Sequence, residues 1–387
     1  MECQRLQFSL PDDEIYLNCA RKAPQSKRLE EIGLAAIRKQ SQPNSIMRSE
    51  FFQPVDTIKK EFAKLVSVDD PDRIAIIPSV SYGLANVANN LQLATGDKVL
   101  VVAEQFPSNI YPWLRVIEEA GAKLEVIEPP SQKNRGANWN ELILESIDDQ
   151  TKMVAIGNVH WADGTLFNLA AIRKKTFQHQ ALLVIDGTQS VGALPFSVAE
   201  LQPDALIVAG YKWLMGPYSI GVAYYGPAFD NGKPVEENWI NRKDSDDFAQ
   251  LINYKIEYRP KAARYSMGEQ SNFILCPLLL GALQQLNEWN PFHIQDYCKK
   301  ITASAIESWT ELGLDIESEN HRAHHLFGIR LTDDFDSIRL KELLEQHRIA
   351  VSFRGTAIRV SPNVYNYVEE VATLGHCFEK ARRQMVY

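Results

Sequence analysis

Short apolar runs recur between residues 72 and 225: RIAII (73–77), KVLVVA (98–103), KLEVIE (123–128), KMVAIG (152–157), ALLVID (181–186), DALIVA (204–209) and SIGVAYY (219–225). They are rich in Val, Ile and Leu and mostly lack strict polar alternation, as strands buried on both faces of a mainly parallel sheet do. The gaps hold helix-like stretches, SYGLANVANNLQ (81–92), NIYPWLRVIEEAG (109–121) and LAAIRKKTFQHQ (169–180). The second ends in Gly121, a residue suited to the left-handed position that closes a helix. Strands alternating with helices predict β-α-β units, here a seven-stranded, mainly parallel sheet in one large doubly wound α/β domain.

The pattern changes after residue 226. Residues 230–262 are polar and irregular, with the charge-rich NRKDSDD (241–247), and read as an excursion. Helices are predicted at 275–289, 301–313, 338–348 and 368–385, and strands at 324–331, 349–355 and 357–362. These describe a smaller α+β domain. The division expected is a large domain over 15–255 and a small one built from 1–14 and 256–387.

Composition narrows the function classes. The chain has 387 residues, 45% of them hydrophobic and 23% charged, with a net charge of −8. Nucleic acid or anionic lipid as a main partner would favour a basic face instead. The five cysteines are odd in number and form no C-x-x-C pair, so neither a disulfide framework nor a metal site is expected, and a cytoplasmic location fits. The start, MECQRLQFSLPDDE, lacks the basic and apolar regions of a signal peptide. No window reaches the roughly 18 apolar residues of a membrane span.

Two residues carry the candidate chemistry. Asp186 ends the run ALLVID, and ligands of open α/β sheets sit outside the carboxyl ends of strands. Lys212 follows the next run, in GYKWLMGP, among aromatic and apolar neighbours. A lysine so placed can have a lowered pKa and become a Schiff-base nucleophile. Each alone also fits a plain role, Asp186 as a turn or cap residue and Lys212 as a surface lysine with a buried stem. Together they match the needs of pyridoxal 5′-phosphate, which takes a lysine on its aldehyde and an acid against its pyridine nitrogen. PSVSYG (78–83) joins a strand to a helix, so the N–H groups of Val80 and Ser81 suit a phosphate. Neither GxxxxGK[ST] nor GxGxxG is present, which speaks against a nucleotide-binding α/β protein.

The segments DGTQSVG (186–192), AGYKWLMGPYSIG (209–221) and IRVSPNVYNYVEEV (358–371) resemble the class V aminotransferase group of fold-type I pyridoxal-phosphate enzymes. That group holds cysteine desulfurases, kynureninases and isopenicillin-N-epimerase-like proteins. The resemblance implies a homodimer acting on an amino-acid substrate. It implies a Schiff base on Lys212, with Asp186 on the pyridine nitrogen and Gln189 on the phenolic oxygen. It implies that Val80, Ser81 and Tyr211 serve the phosphate and that Phe106 stacks on the ring. Arg359 would bind the substrate carboxylate, with Arg354 competing for that role or acting on a side-chain group. Asn18 and Trp161 would lie near the substrate, and His160 would be a proton relay or a structural histidine.

Some positions depart from the group. Desulfurases carry a nucleophilic cysteine shortly before the carboxylate arginine, and QHRIAVSFRGTAIR (346–359) has none. Glu269 stands where many relatives have a Thr that touches the neighbouring subunit's cofactor. An acid there opposes a phosphate, which leaves the contact to Ser271, to Asn272 or to a different geometry. The expected reaction is transamination, with a kynureninase-like or other lyase, or an epimerase, as alternatives. A non-catalytic binding relative fits the intact set of Lys212, Asp186, Gln189 and Arg359 poorly.

Overall fold

The computed structural model describes residues 1–130, 134–355 and 357–382. Every apolar run between residues 72 and 225 forms a strand. These are β1 (Ile74–Ile77), β2 (Lys98–Val102), β3 (Lys123–Ile127), β4 (Thr151–Gly157), β5 (Leu182–Asp186), β6 (Ala205–Ala209) and β7 (Gly221–Tyr225). They make one sheet in the order β1-β7-β6-β5-β4-β2-β3. β7 runs antiparallel to both neighbours, and the remaining pairs are parallel. Successive residues feed two separate cores: Ile74, Ile76, Leu100 and Val102 face one, and Ala75, Ile77, Val99 and Val101 the other. Two apolar faces explain why the runs lack alternation. β3 closes the edge, and its Lys123 and Glu125 reach toward water as an edge strand requires.

The helices are α1 (Lys27–Gln40), α2 (Gln53–Leu65), α3 (Val80–Ala88), α4 (Tyr111–Ala120), α5 (Arg135–Ser146) and α6 (Leu169–Gln178). α4 closes on Gly121 at φ 64°, as predicted. α3 stops four residues before the predicted end. Asn90 Nδ2 binds Asn86 O at 2.7 Å and Lys233 O at 2.8 Å, so asparagine side chains tie this end to the excursion. Three longer helices, α1, α2 and α5, and a four-residue helix at Val198–Leu201 are additional to the predicted elements.

The C-terminal part holds α7 (Leu275–Trp289), against which α1 and α2 pack, then α8 (Pro291–Glu311). α8 begins ten residues before the predicted start, because Asn290 caps Phe292 N at 3.0 Å and Pro291 opens the first turn. A four-stranded antiparallel sheet contains β8 (Asp315–Ile316), β9 (Phe327–Arg330), β10 (Ser352–Arg354) and β11 (Ala357–Val360), in the order β10-β11-β9-β8. Helices α9 (Ser337–Gln346) and α10 (Val368–Ala381) complete it. The predicted extension of the last helix past residue 382 lies outside the described residues. Residues 230–262 form an irregular excursion with a short turn at Phe248–Gln250 and a bridge between Arg242 and Tyr258. Among the described residues no helix is long and apolar enough to cross a membrane.

Candidate active site

The carboxyl ends of β1, β2, β4, β5 and β6 open on one cavity of about 370 Å³. Its lining includes Val80, Ser81, Phe106, Trp161, Asp186, Gln189, Tyr211 and Lys212. Sheet topology thus brings together eight of the residues singled out above. Asp186 is the last residue of β5 and pairs in register with Ile207 of β6, whose chain continues to Lys212. The two motif segments also touch directly. Gly192 sits at φ +104°, and a Cβ there would lie 2.3 Å from Trp213 O, so a side chain would push the Asp186 loop off the Lys212 loop.

Lys212 is 7% exposed and Asp186, at the mouth of β5, is half-buried. Burial pushes the lysine amine down to about 8; Asp186 opposes the shift, and Arg359 and Arg354 add to it. Burial raises the Asp186 pKa, against hydrogen bonds from Thr188 and the charge of Lys212. Thr188 N donates to Asp186 Oδ1 at 3.0 Å, and the Thr188 hydroxyl accepts from Ala209 N at 3.2 Å. Among the described residues no ion pair within 4.0 Å joins Lys212 and Asp186. A buried amine and a half-buried carboxylate therefore share a cavity with space between them.

At the start of α3, Ser79 caps Tyr82 N at 3.2 Å, and its hydroxyl lies 2.9 Å from that of Ser81. The first N–H groups of a helix have no acceptor within it, and here they meet two hydroxyls at the cavity wall. Tyr211 lines the wall with its ring centroid 4.5 Å from that of Tyr218. Phe106 is 41% exposed, meets Trp161 edge-on at 5.5 Å, and has the Lys212 amine 5.4 Å from its ring centre.

Gln189 is held by a network that local sequence does not reveal. The Trp213 indole N–H donates to Gln189 Oε1 at 2.9 Å, which fixes the amide's orientation because indole is only a donor. Gln189 Nε2 donates to Ala20 O at 3.2 Å and keeps a second hydrogen free. His325 meets Trp213 edge-on at 4.4 Å. Burial pushes its pKa down to about 4, so the ring is neutral, with Nε2 donating to Gln189 O and Nδ1 accepting from Gln295.

Arg359 and Asn18 stand outside the lining. Arg359 is 1% exposed, donates to Trp161 O at 2.7 Å, and leaves its buried Nε without a partner. Burial and the neighbouring Arg354 push it down to about 10. Asn18 spends its amide on the small sheet, donating to Val351 O at 3.3 Å and accepting from the Ser352 hydroxyl at 2.8 Å. His160 Nδ1 lies 3.0 Å from buried Asp163, which also binds Arg330 and Arg135, and its buried Nε2 has no hydrogen-bond partner. Ser271 donates to Phe51 O and Asn272 caps Ile274 and Leu275, so both are engaged within the chain. Sequence reasoning missed Thr188, Tyr218 and Ser219 on the wall; Thr188 lay legible inside the Asp-Gly-Thr turn.

The lysine, the acid and the helix start suit pyridoxal phosphate on these observations alone. Comparison with known proteins agrees. The family described as Aminotransferase class-V matches residues 35–374, and the chain belongs to that family. Its cofactor is pyridoxal 5′-phosphate, and the protein is a class V, fold-type I enzyme that acts on amino acids. An uncharacterized aminotransferase of Bacillus subtilis, YcbU, is 29% identical over 324 residues, covering 83% of this chain and 82% of its own. A probable cysteine desulfurase of Pyrococcus abyssi is 27% identical, covering 78% and 77%. Among solved structures, the cysteine desulfurase CsdA of Escherichia coli superposes with a TM-score of 0.80 at 19% identity, covering 97% of both chains. The cystine C–S lyase C-DES superposes at 0.83 with 18% identity, covering 96% and 98%.

Proposed function

We propose that the protein is an aminotransferase whose cofactor is bound covalently through Lys212. The observation that carries this is the shared cavity, in which a buried amine with a lowered pKa faces the half-buried Asp186 carboxylate without pairing to it. Asp186 would hold a proton on the pyridine nitrogen, with Thr188 fixing the carboxylate's angle. The free Gln189 hydrogen would meet the phenolic oxygen, and Ser79, Ser81 and the start of α3 would bind the phosphate. Phe106 would cover the ring, and Tyr211 would reach the phosphate. When bound, pyridoxal phosphate supplies an electron sink for charge developed at the substrate α-carbon.

The residues of the chain then divide the work. Arg359 would bind the substrate α-carboxylate through its guanidinium fork. The Lys212 amine, buried beside Phe106, would carry the α-proton between carbon atoms. The exposed edge at Phe106 and Tyr218 gives water the entry that hydrolysis to a keto acid requires. Assembly as a homodimer is part of the same reading.

Two of the related proteins are desulfurases or probable desulfurases, and the cysteines bear on that. Cys19, Cys276, Cys298 and Cys377 are buried, Cys3 is half-buried, and none falls in 346–359. Burial pushes the Cys19 thiol up to about 11 and that of Cys276 to about 12, which makes both poor nucleophiles. The test is to offer single amino acids with a keto-acid acceptor and identify products. A keto acid bearing the donor's intact side chain supports the proposal. A cleaved fragment, an inverted stereoisomer or a protein persulfide overturns it.

A pH dependence follows from the amine. Only the neutral amine attacks an aldehyde, and its fraction rises with pH up to the pKa. The rate of cofactor capture by cofactor-free protein is expected to climb through pH 8 and level off above it, since burial sets the amine at about 8. A stopped-flow profile still climbing toward the ordinary lysine value near 10.4 would contradict the burial argument.

A further inference from the structure

We propose that Arg354 and Arg359 form a two-anion clamp that selects an acidic amino acid, one whose side chain ends in a carboxylate, as the substrate. The inference rests on the reading above, in which the cavity at Lys212 takes an amino acid. The register of the small sheet places the pair. Ser352 of β10 lies opposite Arg359 of β11, and Arg354 lies opposite Ala357. Arg354 is two residues from Ser352, so both arginines project from one face as diagonal neighbours, roughly 7–8 Å apart. That spacing lets two guanidinium heads close on the two ends of a four- or five-carbon diacid.

Both heads converge on the cavity wall at Trp161. Arg359 donates to its carbonyl at 2.7 Å, and the Arg354 guanidinium carbon lies 5.4 Å from its ring centre. Neither arginine is neutralised. Among the described residues no carboxylate lies within 4.0 Å of either. The Nε atoms of both are buried without a hydrogen-bond partner, and Arg354 Nη1 reaches only the carbonyl of Phe353, at 2.8 Å. An unpaired buried cation such as Arg359 is costly, and the half-buried Arg354 beside it adds repulsion. One α-carboxylate satisfies Arg359 and leaves Arg354 with its donors free. The start of α3, with Ser79 and Ser81, offers the phosphate a separate set of donors. A second carboxylate on the substrate completes the charge balance.

The test uses the cofactor-loaded enzyme and unreactive acids, with binding followed by calorimetry. Wild-type protein is expected to bind succinate and glutarate at least about tenfold more tightly than propionate and butyrate, the scale of a charge-assisted hydrogen bond. Arg354→Gln should abolish that preference while changing monoacid binding by less than about threefold. Arg354→Lys should keep part of it, since it retains the charge and loses the fork. Equal affinity of wild type for diacids and monoacids overturns the clamp, as does an equal loss of both in Arg354→Gln. Cofactor attachment is read separately by absorbance. Protein that holds its cofactor yet lacks diacid preference refutes only the clamp, whereas wild type that fails to attach cofactor removes the reading beneath it.

Discussion

Lys212→Ala is expected to fold normally and to lower kcat by at least about 100-fold, the scale of a missing proton-transfer group, with a further loss from slower exchange of cofactor and product. The fold should tolerate the change. The amine forms no ion pair among the described residues, its charged form is disfavoured where it sits, and the space it vacates joins an existing cavity. Thermal stability measured without cofactor should therefore be unchanged or slightly higher. Steady-state kinetics on the substrate found by product screening provide the readout. A loss of less than about tenfold would contradict the assigned role.

Asp186→Asn is expected to give the second-largest effect, a drop in kcat of about 100-fold, the scale of one removed electrostatic stabiliser. The amide keeps the acceptor for Thr188 N and the shape of the turn, so the cavity should persist. It cannot hold a proton on the pyridine nitrogen by charge. Cofactor should still attach to Lys212 in this variant, which separates an electronic defect from a binding defect. Activity within about threefold of wild type, with cofactor bound, would show that the carboxylate does not serve the ring.

The large sheet was legible because all its strands but edge strand β3 are buried on both faces, which writes them as largely apolar runs. The core of the site was legible for a related reason: an acid at a strand end and a lysine among aromatic residues violate the local expectation for a surface loop. What escaped depends on contacts distant in sequence. α5 has Gly136 in its first turn and no side-chain cap from Asn134, and it gains its start from Glu317, whose Oε2 accepts from Gly136 N at 2.7 Å. The support of Gln189 comes from Trp213 and from His325, separated by 136 residues. Asn18 similarly meets its partners Val351 and Ser352 only after the N-terminal segment has paired beside the small sheet. The unpartnered state of Arg354 is likewise a fact of three-dimensional packing, since its sequence neighbourhood only suggests a strand end.

The central claim is that the Lys212 amine carries the cofactor. Borohydride reduction of the yellow protein, followed by peptide mapping, tests it most directly. One pyridoxyl group per chain is expected, on Lys212, and none after reduction of Lys212→Ala. A pyridoxyl group on any other lysine, or a protein that binds no cofactor when it is supplied, would contradict it.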